Sequence, residues 1–142
     1  MRKIFGDKVE GITYKERHGV YGLFQNSDNK IGVVQVRDTH FLVGGGIEEK
    51  ENHEAALKRE FLEEVGYSIN IQLFLDCLTE YHYSAKDDTY YKMIAHIYMV
   101  ELNGKVLKPV AEDHFLTWID YDGIDGKFVL DYQDYILKKV FK

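Results

Sequence analysis

The sequence predicts an α/β (α+β) fold in one domain, on the strength of three observations. Strand-like runs alternate with two segments of helical periodicity, and the chain contains one proline and no Ser/Gly-rich linker. A strand-rich chain with two helices on one sheet system forms either an α+β fold or an α/β/α sandwich. At 142 residues it can bury a core without disulfides. Residues 1–142 are therefore expected to form a single domain.

The N-terminal part is predicted to consist of strands that lead into a glycine run. Runs rich in β-branched and aromatic residues are separated by turn residues, and they lie at 11–17, 19–25, 30–36 and 40–43. Glycines occupy 44–46 directly afterwards. Without Cβ atoms, a loop there could bring its backbone close to a ligand.

A helix is predicted between Asn52 and Gly66. Asn52 is a favourable N-cap residue, and a glycine commonly ends a helix at its C-terminus. An apolar residue recurs every fourth position, at Leu57, Phe61 and Val65. This spacing predicts a stripe that faces the core.

The C-terminal half is predicted to contain an antiparallel hairpin, a strand and a helix. Two long β-like runs, 67–84 and 89–102, are joined across the turn sequence AKDD. A strand at 114–119 and a helix at 128–141 complete the chain. The pairing order of the strands is not evident from these patterns.

Composition limits the classes of partner. The net charge of -6 argues against binding to a nucleic acid polymer, which requires clustered Lys and Arg. A small phosphorylated substrate remains compatible, because a divalent cation can reverse the local field. No apolar run is long enough for a signal peptide or a membrane span, and a single cysteine allows no disulfide. A cytoplasmic protein is the expectation.

The predicted helix carries a group of acidic residues beside its apolar stripe. Glu60, Glu63 and Glu64 are three or four positions apart, a spacing at which like charges destabilise a helix. At about 100° per residue, Glu64 lies roughly 20° from the direction of Leu57, near the buried edge. A carboxylate there should be paired or bound to a cation. Arg59 cannot neutralise all of them, and hard carboxylate oxygens suit Mg²⁺ or Mn²⁺.

Residues 45–67 resemble the signature of the Nudix (MutT-like) hydrolases. That signature has Gly, five residues, Glu, seven residues, then Arg-Glu-apolar-x-Glu-Glu-x-Gly-apolar. The matching residues here are Gly45, Glu51, Arg59, Glu60, Phe61, Glu63, Glu64, Gly66 and Tyr67. The tyrosine stands at an apolar place, and Val43 stands where the family often has proline before the glycine pair.

The resemblance implies a Nudix-type α/β/α sandwich with a mixed central sheet, and hydrolysis of a diphosphate bond in a nucleoside diphosphate linked to a group X. Glu60 and Glu64 would be the main metal ligands, Glu63 a further or water-mediated ligand, and the Gly45 carbonyl would complete the coordination. Arg59 would orient the carboxylates, with Glu51 as its structural partner. The cofactor would be Mg²⁺ or Mn²⁺.

Candidates outside the helix are a general base and cations for phosphate. Some Nudix enzymes carry a catalytic glutamate before a tryptophan; Glu112 matches best, with Asp113 and His114 as substitutes, and an exposed acidic loop is the alternative. Arg17 and Arg37 end predicted strands near the glycines, and arginine suits phosphate. Incidental surface ion pairs would also explain both arginines.

Two tyrosines could contact the nucleobase. Tyr81 and Tyr83 alternate in a predicted strand and therefore share one face. A tyrosine ring offers a flat apolar surface for stacking. In family members that cleave dinucleoside polyphosphates, a tyrosine lies a comparable distance after the signature, where Tyr83 stands. Packing within the sheet is the alternative explanation.

The sequence thus predicts hydrolysis of a small nucleotide, with a preference for nucleoside triphosphates or modified (d)NTPs and release of NMP. Dinucleoside polyphosphates and nucleotide sugars are the alternatives. A non-catalytic nucleotide-sensing module is the alternative from a different class. Many relatives dimerise, which suggests a homodimer by analogy only.

Overall fold

The computed structural model describes residues 3–106, 108–109 and 113–142. The described residues form eight strands, two α-helices and one 3-10 helix. In chain order they are β1 Lys3–Phe5, β2 Lys15–Leu23, β3 Ile31–Val36, β4 Thr39–Phe41, β5 Val43–Gly46, α1 His53–Val65, β6 Tyr67–Ser84, β7 Thr89–Lys105, β8 Phe115–Ile119, the 3-10 helix Tyr121–Gly123, and α2 Asp131–Phe141.

The strands form two sheets. The larger sheet has the order β1-β6-β7-β2-β5, and the smaller has the order β4-β3-β8. In the larger sheet, β1 pairs with β6 and β2 with β7 in parallel, while the other two pairings are antiparallel. The predicted mixed central sheet is therefore confirmed.

The two helices cover opposite faces of the larger sheet. In β2, Val20 belongs to the core cluster that contains Phe61 of α1. Its neighbour Tyr21 belongs to the cluster that contains Tyr132 and Ile136 of α2. Successive strand residues point to opposite faces, so the helices sandwich the sheet as expected.

Two N-terminal boundaries differ from the prediction. A single strand, β2, replaces the predicted strands 11–17 and 19–25, and Gly19 continues the strand by pairing with Gly46. The expected glycine loop is strand β5, antiparallel to β2. Tertiary pairing on both sides of β2 outweighs the weak strand propensity of glycine. Gly44 has φ +147 and leaves no space for a Cβ atom, which would lie 2.1 Å from the Val20 carbonyl oxygen.

Helix α1 begins and ends where the sequence predicts. The side chain of Asn52 accepts a hydrogen bond from the Ala55 N–H, and Gly66 ends the helix in the left-handed conformation, with φ 76. Leu57, Phe61 and Val65 are buried. The predicted apolar stripe therefore attaches α1 to the sheet.

The C-terminal elements follow the prediction except at the start of α2. The hairpin formed by β6 and β7 is present, and α2 begins at Asp131 instead of 128. Glu80 of β6 accepts hydrogen bonds from the backbone N–H groups of Asp131 and Tyr132, which positions the first turn of α2.

Strand β1, three residues that pair with β6, was not predicted. No helix in the described residues is long and apolar enough to cross a membrane.

We expect Gly22→Ala to destabilise the fold by displacing α1. A Cβ atom at Gly22 would lie 2.7 Å from Cε1 of the buried Phe61 ring. Overpacking of this kind costs about 1–3 kcal/mol. Urea denaturation should therefore show a lower free energy of unfolding.

Gly123→Ala is the matched control, because the nearest atom to its Cβ would be 3.5 Å away. Its effect should stay within about 1 kcal/mol in either direction. Equal stability of the two variants would contradict the proposed tight contact between α1 and β2.

Candidate active site

The acidic residues of α1 lie against the glycines of β5. A Cβ atom at Gly45 would be only 2.7 Å from Oε1 of Glu60. Glycine at this position therefore allows the carboxylate to approach the backbone of β5. The helix and strand together bring carboxylate oxygens and main-chain polar groups into one place.

Arg59 is the central cation of the site. Its guanidinium binds Glu51 through two bonds, Nε to Oε2 at 2.7 Å and Nη2 to Oε1 at 2.9 Å. Nη2 also donates to the Gly46 carbonyl, and Nη1 donates to Glu60 at 3.0 Å and Glu63 at 3.2 Å. The hydrogen bonds from Arg59 hold the pKa of Glu51 below its usual range. The predicted contacts of Arg59 with Glu51 and with the metal-ligand candidates are thus present.

Glu64 is the more deeply placed carboxylate, with 12% of its side chain exposed. Its Oε1 accepts the Gly44 N–H at 2.8 Å, and its Oε2 lies 2.8 Å from Nδ1 of His114. Burial raises the pKa of Glu64, although the bonds from Gly44 and His114 oppose that shift.

Glu60 shares this environment, whereas Glu63 does not. The Glu60 side chain is 14% exposed, and burial raises its pKa against the opposing effect of Arg59. Glu63 is 48% exposed at the rim. Burial therefore opposes ionisation of the two inner carboxylates, Glu60 and Glu64, but leaves Glu63 in solvent.

The donor set suits a hard divalent cation. Carboxylates outnumber cationic groups, and oxygen ligands are those that Mg²⁺ and Mn²⁺ prefer. In the part of the chain that the structure describes, no three Asp, Glu, His or Cys side chains converge into a ready metal cluster. The reason is local, because Glu60 turns toward Arg59 while Glu64 turns toward Gly44 and His114.

Cavities flank the carboxylates on two sides. One of about 500 Å³ is lined by Arg17, Arg59, Glu60 and Glu63, among others. A second of about 440 Å³ has mainly apolar walls and contains Glu64; its lining includes Tyr21, Val36, Phe41, Leu42, Gly44, Lys86, His114, Leu130 and Gln133. A third cavity, of about 790 Å³, lies along α2 and contains none of the acidic residues of α1. We therefore place the chemistry between the two smaller cavities.

The structure places the two predicted phosphate-binding arginines in different cavities. Arg17 lines the 500 Å³ cavity, and its Cζ atom lies 5.9 Å from the centre of the Tyr91 ring. Arg37 lines a further cavity of about 600 Å³, which adjoins the apolar one. Neither assignment as a phosphate ligand is decided by these positions, and both stay predictions.

Tyr81 and Tyr83 line none of these four cavities. Tyr81 packs against Tyr14, with ring centres 4.9 Å apart. Tyr83 packs against Tyr90, and its hydroxyl donates to Asp88 at 2.7 Å. Their contact with a nucleobase stays a prediction, while packing against other tyrosines is what the described contacts show.

The candidates for the general base are only partly described. Glu112 lies outside the described residues. Of its substitutes, Asp113 lines the 600 Å³ cavity and His114 contacts Glu64. Sequence reasoning did not single out Tyr21 or Lys86. No local pattern marks them, since a tyrosine in a strand and a lysine in a turn are both common.

Comparison with known proteins places this architecture in one family. A family model described as NUDIX domain matches residues 15–138. No curated protein matches the chain significantly.

Solved structures with the same fold are only distantly related in sequence. A MutT NUDIX hydrolase from Burkholderia pseudomallei is 21% identical, with a TM-score of 0.70, and the match covers 89% of this chain and 98% of that one. An ADP-ribose pyrophosphatase from Streptococcus suis is 19% identical, with a TM-score of 0.64 and coverage of 87% and 90%. A UDP-X diphosphatase is 16% identical, with a TM-score of 0.64 and coverage of 92% and 65%.

At these identities the solved structures show a shared fold alone. The family assignment comes from the family model, which spans most of the chain and includes the glycine, glutamate and arginine positions described above. This protein is therefore a member of the Nudix hydrolase family.

Proposed function

We propose that this protein hydrolyses a diphosphate bond in a nucleoside diphosphate linked to a group X, with Mg²⁺ or Mn²⁺ as cofactor. One observation carries the proposal. Two largely buried carboxylates, Glu60 with 14% and Glu64 with 12% of the side chain exposed, meet the glycine backbone of β5 beside the Arg59 guanidinium. Burying carboxylates in such excess is unfavourable unless a cation joins them.

Glu60, Glu64 and the Gly45 carbonyl would hold the cation, with Glu63 as a further or water-mediated ligand. When bound, the cation would neutralise the diphosphate and lower the pKa of an attacking water. The chain's own contribution is positioning, which is the main requirement of phosphoryl transfer. Arg59 supports this role because it binds Glu51, Glu60 and Glu63 together.

His114 gives the site a proton-carrying group. Its Nδ1 lies 2.8 Å from Oε2 of Glu64, an arrangement that favours a proton on Nδ1. Glu112 is proposed as the general base on the family resemblance. Asp113 and His114 are the substitutes.

The apolar cavity is the proposed position of the nucleoside. It reaches Glu64 at one end, and Phe41, Leu42 and Leu130 contribute apolar walls. Gln133 stiffens the wall, because its Oε1 accepts the Leu42 N–H and its Nε2 donates to the Tyr132 hydroxyl. A base held there would bring the attached diphosphate to the carboxylates.

The first candidate substrates are nucleoside triphosphates and modified (d)NTPs, with NMP as product. Dinucleoside polyphosphates and nucleotide sugars are the second candidates, and the 600 Å³ cavity beside the apolar one favours them because it offers room beyond a nucleoside. Similarly folded proteins called ADP-ribose pyrophosphatase and UDP-X diphosphatase are consistent with this. We also propose, on the sequence argument, a cytoplasmic location, and on family analogy a homodimer.

Mg²⁺ or Mn²⁺ should raise the thermal midpoint of unfolding. A ligand that binds only the folded state at one hundred times its Kd stabilises by about 2.7 kcal/mol. Differential scanning fluorimetry should show the shift in the unaltered protein and a much smaller one in Glu60→Gln. Glu101→Gln, an exposed residue of β7, is the control. If neither metal changes the thermal midpoint of the unaltered protein, this result would count against the metal site.

Glu64→Gln should remove turnover of whichever substrate the protein hydrolyses. The test panel is NTPs, oxidised dNTPs, dinucleoside polyphosphates, ADP-ribose and nucleotide sugars with either metal, and the nucleotide products are separated and measured by ion-exchange chromatography. Loss of one electrostatic contact to the transition state typically costs about 10²- to 10³-fold in kcat. If nothing in the panel turns over, yet one nucleotide raises the thermal midpoint, a sensing module is the better interpretation.

Glu51→Gln should lower activity about 10- to 100-fold by loosening Arg59, as expected for a group that orients metal ligands. Glu48→Gln is the matched control, because Glu48 also faces Arg59 but at 3.7 Å and with 67% of its side chain exposed. The kcat and KM of both variants should be measured at saturating metal. Equal losses in the two variants would exclude a specific positioning role for Glu51.

A further inference from the structure

Two cations from different hairpins, Lys86 and Arg37, line the 600 Å³ cavity beside the apolar one. Lys86, in the turn between β6 and β7, lines both the apolar cavity and the 600 Å³ cavity. Arg37, in the turn between β3 and β4, lines the 600 Å³ cavity. The two cavities share Lys86 and His114 in their walls, and His114 contacts Glu64. They therefore form one groove that passes the candidate metal ligands.

Lys86 forms no ion pair with the two acidic residues that follow it in its own turn, Asp87 and Asp88, among the described contacts. Its acidic neighbours are engaged elsewhere, since Asp88 accepts from the Tyr83 hydroxyl at 2.7 Å and Asp87 accepts from the Tyr91 hydroxyl at 3.1 Å. Across residues 3–106, 108–109 and 113–142, Lys86 makes no ion pair and no side-chain hydrogen bond. The hydrogen bonds from Tyr83 and Tyr91 thus order the turn, and the ammonium group of Lys86 is available to a ligand.

Arg37 is held at the rim by an unusual backbone conformation. Its φ is 57, in the left-handed region that a non-glycine residue seldom adopts. Its carbonyl accepts a hydrogen bond from Nε2 of Gln35 at 3.0 Å. No ion pair of Arg37 is present in the described part of the chain either. Such strained positions cluster at ligand sites.

The same cavity presents acceptors as well as cations. Asp38 and Asp113 lie in its wall, and neither forms an ion pair with Lys86 or Arg37 among the described contacts. Unpaired cations suit phosphate oxygens, whereas carboxylates accept hydrogen bonds from hydroxyls. A ligand that carries both groups is a phosphorylated sugar.

We propose that Lys86 and Arg37 bind the phosphate that leaves with X, that X is a sugar, and that Lys86 is a specificity-determining residue. The inference rests on the proposed function and names its substrate class as nucleotide sugars. In the reaction, water oxygen bonds to the nucleotide phosphorus, a proton of that water passes to the general base proposed above, and the bond from the phosphorus to the bridging oxygen breaks. The sugar phosphate departs with the bridging oxygen and its electron pair, so its added negative charge falls beside the two cations.

The test compares Lys86→Met, Lys86→Arg and Lys92→Met. Lys92 lies in the same hairpin and lines none of the four cavities described above. With ADP-ribose as substrate, Lys86→Met should raise KM about 10- to 100-fold, the range for a lost hydrogen bond to a charged group. Lys86→Arg should recover most of that loss, and Lys92→Met should match the unaltered protein. An equal effect on ADP-ribose and ATP would overturn the specificity role.

A second measurement does not depend on turnover. Isothermal titration calorimetry measures the binding of ribose 5-phosphate to the metal-free protein. Ribose, which lacks the phosphate group, is the control ligand. Ribose 5-phosphate should bind the unaltered protein and Lys92→Met alike, and bind Lys86→Met at least about tenfold more weakly. If no nucleotide is hydrolysed but this dependence on Lys86 holds, the proposed function fails and the subsite stands. If ribose 5-phosphate does not bind, or if Lys86→Met binds it as tightly as the unaltered protein does, the proposed subsite is overturned.

Discussion

The close packing of helix α1 on strands β2 and β5 is the constraint on which the site depends. Gly22 lies under the Phe61 ring and Gly45 lies beside the Glu60 carboxylate, and a Cβ atom at either position would lie 2.7 Å from the nearest atom of that side chain. The apolar face of α1 is therefore held at a short distance from the sheet. The acidic edge of the same helix, one residue away from Phe61, is consequently placed against the main chain of β5.

That placement creates an electrostatic imbalance that the protein tolerates through one arginine. Arg59 binds Glu51 in a bidentate manner and still reaches Glu60 and Glu63. Burial nevertheless raises the pKa of Glu60 and of Glu64. A site that disfavours its own ionised carboxylates is suited to a divalent cation, whose charge would favour them. The stability of the fold and its proposed chemistry thus draw on the same residues.

The walls of the groove come from elements far apart in sequence. Helix α2 supplies Gln133, the β3–β4 turn supplies Arg37, and the β6–β7 turn supplies Lys86. Each is positioned by contacts of its own, such as the hydrogen bonds from tyrosine hydroxyls that organise the β6–β7 turn. Differences in these turns can alter the substrate without altering the carboxylates of α1, which accords with one fold serving many substrates.

The sequence by itself determined helix α1, its caps at Asn52 and Gly66, the β6–β7 hairpin and the acidic cluster, because each depends on residues near one another in the chain. Only the tertiary structure decided that the glycines at 44–46 form strand β5, that β1 joins the sheet, and that α2 begins at Asp131. Those outcomes depend on hydrogen bonds to β2 and β6, which no local pattern encodes. For the same reason Lys86, His114 and Glu64 come together only in the folded chain, across a separation that periodicity and spacing do not span.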